Sequence, residues 1–137
     1  MKIVGFNFTG INAEKTDKLV ENLNIKTNID ISDIHDVKSD FLNPKESLIG
    51  VRFSYKVDYD PEFAKIYFTG TVLFSMDSKD SSEILKQWKD KKMPDKFKLA
   101  LFNVILKKSN LRALQIEEEL NLPLHIPMPS LKPEVKK

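Results

Sequence analysis

Cysteine is absent from this 137-residue chain, which removes disulfide frameworks, thiol nucleophiles and cysteine-based zinc sites at once. Such a chain suits a reducing compartment, and the cytoplasm is the expected location. Glycine is scarce, with 4 residues, and no glycine-rich turn joins a strand to a helix, so a phosphate cradle is not expected. The 2 histidines, His35 and His125, lie far apart in sequence and are read as structural or solvent-exposed. Asp30, Asp33, Asp36 and Asp40 cluster, yet the Asp-x-Asp-x-Asp-Gly loop of a calcium site is missing. No serine sits in a nucleophile elbow. No apolar run approaches the roughly 18 residues of a membrane span. Met1 to Gly10 alternates apolar and polar residues, where a secretory leader would be continuously apolar. These absences together predict a protein that is not an enzyme, holds no metal or cofactor and does not insert into membranes.

Net charge is +2, from 22 basic and 20 acidic residues, and by itself implies no partner. The basic residues concentrate between Lys86 and Arg112, while acids gather at Asp30 to Asp40 and Glu117 to Glu119. Interleaved arginines and exposed aromatics would point to nucleic acid, and they are sparse. A solvated lysine face on amphipathic helices is the expected reading.

The first two-thirds of the chain has period two. Phe6 and Phe8 oppose Asn7 and Thr9. From Leu23 to Ile34, Leu23, Ile25, Ile29 and Ile31 share a face. From Leu48 to Tyr59, Ile49, Val51, Phe53, Tyr55, Val57 and Tyr59 do so. From Ala64 to Met76, Ile66, Phe68, Val72, Phe74 and Met76 follow in phase. This alternation is that of a sheet with one face on a core and one in water. Asp60-Pro61-Glu62-Phe63 supplies a turn that joins the last two strands as a hairpin. Asn12 to Asn22 reads as a polar crossover and His35 to Ser47 as a polar loop broken by Phe41-Leu42. Gly70 marks a bulge or a close backbone approach.

From Asp80 the period becomes helical. Ser81 or Ser82 is the expected cap of a short helix bearing Ile84, Leu85 and Trp88, ended by Met93-Pro94-Asp95. Trp88 is read as core or interface. A longer helix then runs to about Asn121. Phe97, Leu101, Val104, Ile105 and Leu111 fall on one side of it; Leu99, Phe102, Leu106, Ala113, Ile116 and Leu120 fall on the adjoining side. Together they cover roughly 240° at 100° per residue, more than a one-sided surface helix needs. Either the helix is wholly buried in one chain, or a second copy covers the remainder across an isologous interface. The second side, Leu99 to Leu120, is the candidate oligomer interface. Four prolines from Pro123 to Pro133 make the remainder an extended segment. The expected organisation is one α+β domain over residues 1–131, with a twisted four-stranded antiparallel sheet followed by a short and a long helix, and a flexible basic tail over 132–137.

This order of elements resembles the SecB export-chaperone family, in a divergent archaeal-type or stress-associated form. Asn24-Ile25-Lys26-Thr27-Asn28-Ile29-Asp30-Ile31-Ser32 is similar to that family's second strand, and Leu122-Pro123-Leu124-His125-Ile126-Pro127-Met128-Pro129 to the apolar, proline-broken segment after its main helix. The resemblance implies a dimer or a dimer of dimers, a homotetramer joined through first-strand edges and long helices. It implies an ATP-independent holding activity toward unfolded or exposed apolar polypeptide segments, in the setting of protein transport. The implied client groove falls on Phe6, Phe8, Leu19, Val20, Leu23 and Ile25; Phe41 and Leu42 join it as an apolar pair in a polar loop. The family's aromatic and charged helix start is replaced here by Leu101-Phe102-Asn103-Val104-Ile105-Leu106, and its acidic, zinc-engaging end by Lys132-Pro133-Glu134-Val135-Lys136-Lys137. The residues by which the resemblance would imply a motor partnership are therefore missing from that end, and whether a motor is a partner stays open. The alternative is a specific adaptor, for one protein such as an antitoxin or for nucleic acid. A ligand-binding sheet of the hotdog or cystatin kind fits less well, because both helices follow the strands.

Overall fold

The computed structural model describes residues 1–38 and 46–131. Four long strands, β1 (Lys2–Lys15), β2 (Asn24–Val37), β3 (Glu46–Asp60) and β4 (Ala64–Asp77), precede α1 (Ser78–Trp88) and α2 (Asp95–Glu119). The strands form one antiparallel sheet in the order β1-β4-β3-β2. The two apolar-rich strands are central, and β1 and β2 are the edges.

The period-two pattern is realised on β3 and β4. Ile49, Val51, Tyr55, Val57, Tyr59, Ile66, Phe68, Val72 and Phe74 have no exposed surface. Their partners on the other face, Arg52, Ser54, Lys56, Lys65, Tyr67 and Thr69, remain in water or partly so. The β3–β4 connection closes through a Phe63 N–H bond to the Tyr59 carbonyl at 2.9 Å, with a cis Asp60–Pro61 peptide and Glu62 at φ 42°.

Three boundaries differ from the sequence reading. β1 continues through Asn12 to Lys15, because it pairs with β4 along its whole length and absorbs two register shifts, between Ile3 and Gly5 and between Phe8 and Gly10. The crossover is thus shorter, residues 16–23, and passes the hairpin end of the sheet, where the Thr16 N–H and hydroxyl both donate to the Phe63 carbonyl at 2.9 and 3.0 Å. His35 lies in β2, not in a loop. A register shift between Ile31 and Asp33 resets the phase, and the ring then sits over Gly50 while Nδ1 meets Asp33 at 2.9 Å. Phe41 and Leu42 lie outside the described residues, as does the 132–137 tail.

α1 is capped by Asp77, whose side chain accepts from the Asp80 N–H at 2.8 Å, rather than by Ser81 or Ser82. Those two hydroxyls instead donate to the Ser78 carbonyl. The helix stops at Trp88, well before Met93, because Lys91 takes φ 59° and the Lys92 N–H returns to the Gln87 carbonyl at 3.0 Å. The Lys91 ammonium covers the Trp88 ring at 4.4 Å. α2 begins after Pro94 and ends in a Schellman closure: Asn121 adopts φ 54° and the Leu122 N–H bonds the Glu117 carbonyl at 2.8 Å.

α2 runs lengthwise along the central strands. Phe97 meets Phe74 at a ring separation of 5.0 Å, and Asn110 and Glu117 meet Tyr55 and Tyr59. Twenty helical residues span about 30 Å, matching the roughly 33 Å from Ile49 to Tyr59. The buried positions are Phe97, Leu101, Ile105, Ser109, Ala113, Ile116 and Glu117. An i+4 series drifts about 40° per step, so this stripe winds roughly 200° around the helix. A strand twists along its length, and a helix laid along it must change the face that it buries.

Candidate polypeptide-binding site

The winding stripe sorts the apolar residues of α2. Ala113 and Ile116 are 0% and 5% exposed inside the protomer, so they are not free for an interface between copies. A flat wheel placed them with Leu99, Phe102 and Leu106 because it ignores the drift. Leu99 is 66% exposed, with Phe102 half-buried and Leu106 exposed on the same side. Leu120 is half-buried at the helix end, and Leu111, read as core-facing, is also exposed.

On β1, Phe6 and Phe8 face the helix side of the sheet and are half-buried. Phe6 meets Phe8 at 5.1 Å and Phe53 at 5.3 Å between ring centroids; Phe8 meets Phe68 at 5.2 Å. The cluster depends on Gly70, which pairs with Phe8 and Phe53 across the sheet. A Cβ there would stand 2.6 Å from the Phe53 ring and 2.7 Å from the Asn7 carbonyl oxygen. Gly70 is therefore a close approach, and the register shift lies opposite it, on β1. Ile3 and Ile11 pair with Phe74 and Phe68 on the same side yet stay 40% and 48% exposed. α1 lies against β2, β3 and β4; α2 lies against β4 and β3, and its end meets β1 where the Lys15 ammonium donates to the Leu120 carbonyl at 2.9 Å. The helix-facing side of β1 thus carries an apolar strip, Ile3, Phe6, Phe8, Ile11, beside an edge with no strand partner among the described residues.

Leu19, Val20, Leu23 and Ile25 are elsewhere. Ile25 pairs with Tyr59 at the hairpin end of the opposite edge, while Phe8 lies in the row of Gly70 and Phe53. β1 and β2 stand about 14 Å apart, three strand spacings. Leu19 is fully exposed on the crossover; Val20, Leu23 and Ile25 are half-buried. The predicted groove residues therefore form two groups, an edge strip on β1 and a crossover group beside β2.

The sequence reading missed a buried polar network. Glu117 has no exposed side-chain surface and His125 has 2%. His125 Nδ1 lies 2.7 and 2.9 Å from the two Glu117 carboxylate oxygens, and its backbone N–H donates to Oε1 at 3.3 Å. The Tyr59 hydroxyl donates to Glu117 Oε2 and lies 2.8 Å from the Pro123 carbonyl oxygen. The Tyr55 hydroxyl donates to Asn110 Oδ1 at 2.6 Å and lies 2.9 Å from His125 Nε2. Burial first, then the Glu117 carboxylate, push both phenols above the ordinary tyrosine range, so they remain proton donors. The network fastens the proline-broken segment to α2 and β3. One signal was available: Glu117 continues the i+4 series through Leu101, Ile105, Ser109 and Ala113. Among the described residues no cluster of His, Asp or Glu is arranged to hold a metal ion, and no helix is long and apolar enough to cross a membrane.

A four-stranded antiparallel sheet with an edge-to-edge crossover, backed by a short and a long C-terminal helix, is the α+β architecture of SecB-like chaperones. Among solved structures, the chain is similar to the Mycobacterium tuberculosis Rv1957 SecB-like chaperone in complex with a ChAD peptide from the Rv1956 HigA1 antitoxin, at TM-score 0.56 and 15% identity, over 96% of this chain and 87% of that one. No protein-family model and no curated protein sequence matches the chain.

Proposed function

We propose that the chain is a polypeptide-binding chaperone or adaptor that works without nucleotide, holding extended apolar segments against the β1 edge. The observation that carries this reading is the part-exposed strip Ile3, Phe6, Phe8 and Ile11 beside the edge of a 14-residue strand that has no strand partner among the described residues. Main-chain bonds to an edge give affinity without sequence preference, and neighbouring apolar surface accepts large side chains. The SecB-like neighbour supports it, since that protein holds a peptide of another protein. Self-association through the Leu99, Phe102, Leu106 side of α2 belongs to the same reading, and a cytoplasmic location accords with the cysteine-free chain.

The test is light scattering from a chemically unfolded client diluted into an excess of this protein. A general holdase suppresses aggregation of several unrelated clients; a dedicated adaptor suppresses that of one partner. Ile3→Ser with Ile11→Ser alters exposed positions and should weaken suppression at least several-fold while leaving the far-ultraviolet circular dichroism unchanged. Undiminished suppression by this variant removes the β1 strip from the site, and no suppression of any client or peptide binding by the parent chain refutes the function.

A further inference from the structure

We infer that the groove between the C-terminal half of α2 and the segment after it receives the lysine-bearing C-terminal segment of a second copy, beginning at Leu131. This interface is separate from the β1 strip and from the Leu99 side of α2, and does not rest on the client-holding reading.

The groove has a volume of about 660 Å³ and is lined by Leu114, Gln115, Glu118, Glu119, Leu124 and Met128. Its two walls have different origins. Leu114, Gln115, Glu118 and Glu119 come from the side of α2 that the winding stripe leaves in solvent. Leu124 and Met128 come from the segment pinned by His125, whose ring and backbone N–H both meet Glu117. The second wall is therefore held by buried hydrogen bonds. Leu124 and Met128 are 36% and 56% exposed, so the floor is apolar and not filled by the described residues. The charge is one-sided: Glu118 and Glu119 line the groove, no basic residue does, and neither glutamate has an ion pair among the described residues. An occupant must bring an apolar side chain with cations beside it.

This chain carries such a segment. Leu131 is 102% exposed, clear of the other described residues. It is followed by Lys132, Pro133, Glu134, Val135, Lys136 and Lys137, three cations to one anion. Its own groove is out of easy reach. Prolines at 127 and 129 fix φ at those positions and hold the preceding residues extended. Met128, in the groove wall, is only three residues from Leu131, about 10 Å of extended chain, and a return would have to turn on Ser130 and Leu131 alone. A straight exit instead presents Leu131 to another molecule. Exchange in both directions closes a two-fold pair, each segment lying in the other's groove.

The absence of native cysteine makes disulfide trapping clean. Full-length Leu131→Cys is mixed with full-length Gln115→Cys under mild oxidation, and products are resolved without reductant. The expected result is a mixed disulfide of about twice the 15.8 kDa chain, at least five-fold above that from Leu131→Cys mixed with Lys26→Cys on β2. Glu118→Lys with Glu119→Lys in the Gln115→Cys partner should lower the yield at least five-fold. Those substitutions place cations near a helix C-terminus, where they favour the helix, so loss of folding does not explain the loss of trapping; circular dichroism verifies this. A yield no higher than the Lys26→Cys control, or one unaffected by the charge reversal, overturns the inference. So does a concentration-independent intrachain disulfide in the double variant Leu131→Cys/Gln115→Cys.

Discussion

Truncating His125 to alanine should destabilise the protein far more than its place among prolines suggests. Glu117 is sealed from solvent, and its donors are the Tyr59 hydroxyl, the His125 ring and the His125 backbone N–H. His125→Ala removes the ring and leaves the buried carboxylate one donor short, with only the Tyr59 hydroxyl and the residue-125 N–H, a class of change that costs about 3 kcal/mol. For a domain of this size that lowers the melting temperature by roughly 10 °C or more. Glu117→Gln is milder, about 1–2 kcal/mol, because its amide still accepts from Tyr59 and can donate to Nδ1 in the other histidine tautomer. Once the carboxylate is gone, His125→Ala strands no charge. The two changes should then couple by about 1.5 kcal/mol or more in a double-mutant cycle. Urea unfolding followed by circular dichroism measures the three costs, and limited proteolysis reports on the segment directly: His125→Ala should expose 122–131 to cleavage under conditions where the parent is intact. A His125→Ala cost under about 1 kcal/mol, or costs that add within about 0.3 kcal/mol, would refute the network as the fastening of this segment.

Gly70→Ala should cost about 1–3 kcal/mol, because its Cβ meets the Asn7 carbonyl as well as the Phe53 ring and the paired β1 backbone cannot retreat; thermal melting measures it. Ser109→Ala should stabilise by about 1 kcal/mol, since the hydroxyl is fully buried with no hydrogen-bond partner among the described residues and alanine is the better helix former; the urea midpoint should rise. Alkaline stability should fall once pH passes about 10, where tyrosine of the unfolded chain ionises while Tyr55 and Tyr59, raised above that range by burial and Glu117, keep their protons. The unfolded state then binds fewer protons than the folded one, so unfolding is favoured by up to about 1.4 kcal/mol per pH unit for each phenol. Tyr55→Phe should flatten that slope in a pH series of urea titrations.

How legible each element was depended on which of its residues carried periodic information. β3 and β4 show their period two without interruption, because each is central and buries alternate residues fully; their face and hairpin are as the alternation predicts. The edges β1 and β2 are interrupted by register shifts, each of which reverses the phase of the residues beyond it. Alternation after Phe8 and after Ile31 therefore breaks, and Asn12 to Lys15 and His35 to Val37 looked like loop. Strand order was not readable from either edge, which is why Phe6 and Leu23 were placed in one groove when two strands separate them. The cap of α1 was missed by one turn because Asp77 ends a strand and starts a helix at once. The Glu117 network lay hidden because a glutamate in Glu117-Glu118-Glu119 looks solvated; its partners, Tyr55, Tyr59 and His125, stand 8 to 62 residues away in sequence.

The surplus of apolar circumference on α2 has a geometric origin in the sheet beneath it. A straight helix lying lengthwise on a twisting strand cannot keep one face buried. Phe97, Leu101 and Ile105 serve the first half, and Ala113, Ile116 and Glu117 serve the second after the stripe has turned. Each half then leaves a different side in solvent: Leu99, Phe102 and Leu106 near the start, Leu111 and Leu114 near the end. The second of these is met by Leu124 and Met128 to make a groove; the first has no covering element among the described residues. Covering both with one flat partner is impossible, because they face different directions. The winding thus leaves two apolar faces of one helix uncovered by the described residues, and they point in different directions. The β1 strip, on the far edge of the sheet from β2, is a third such surface.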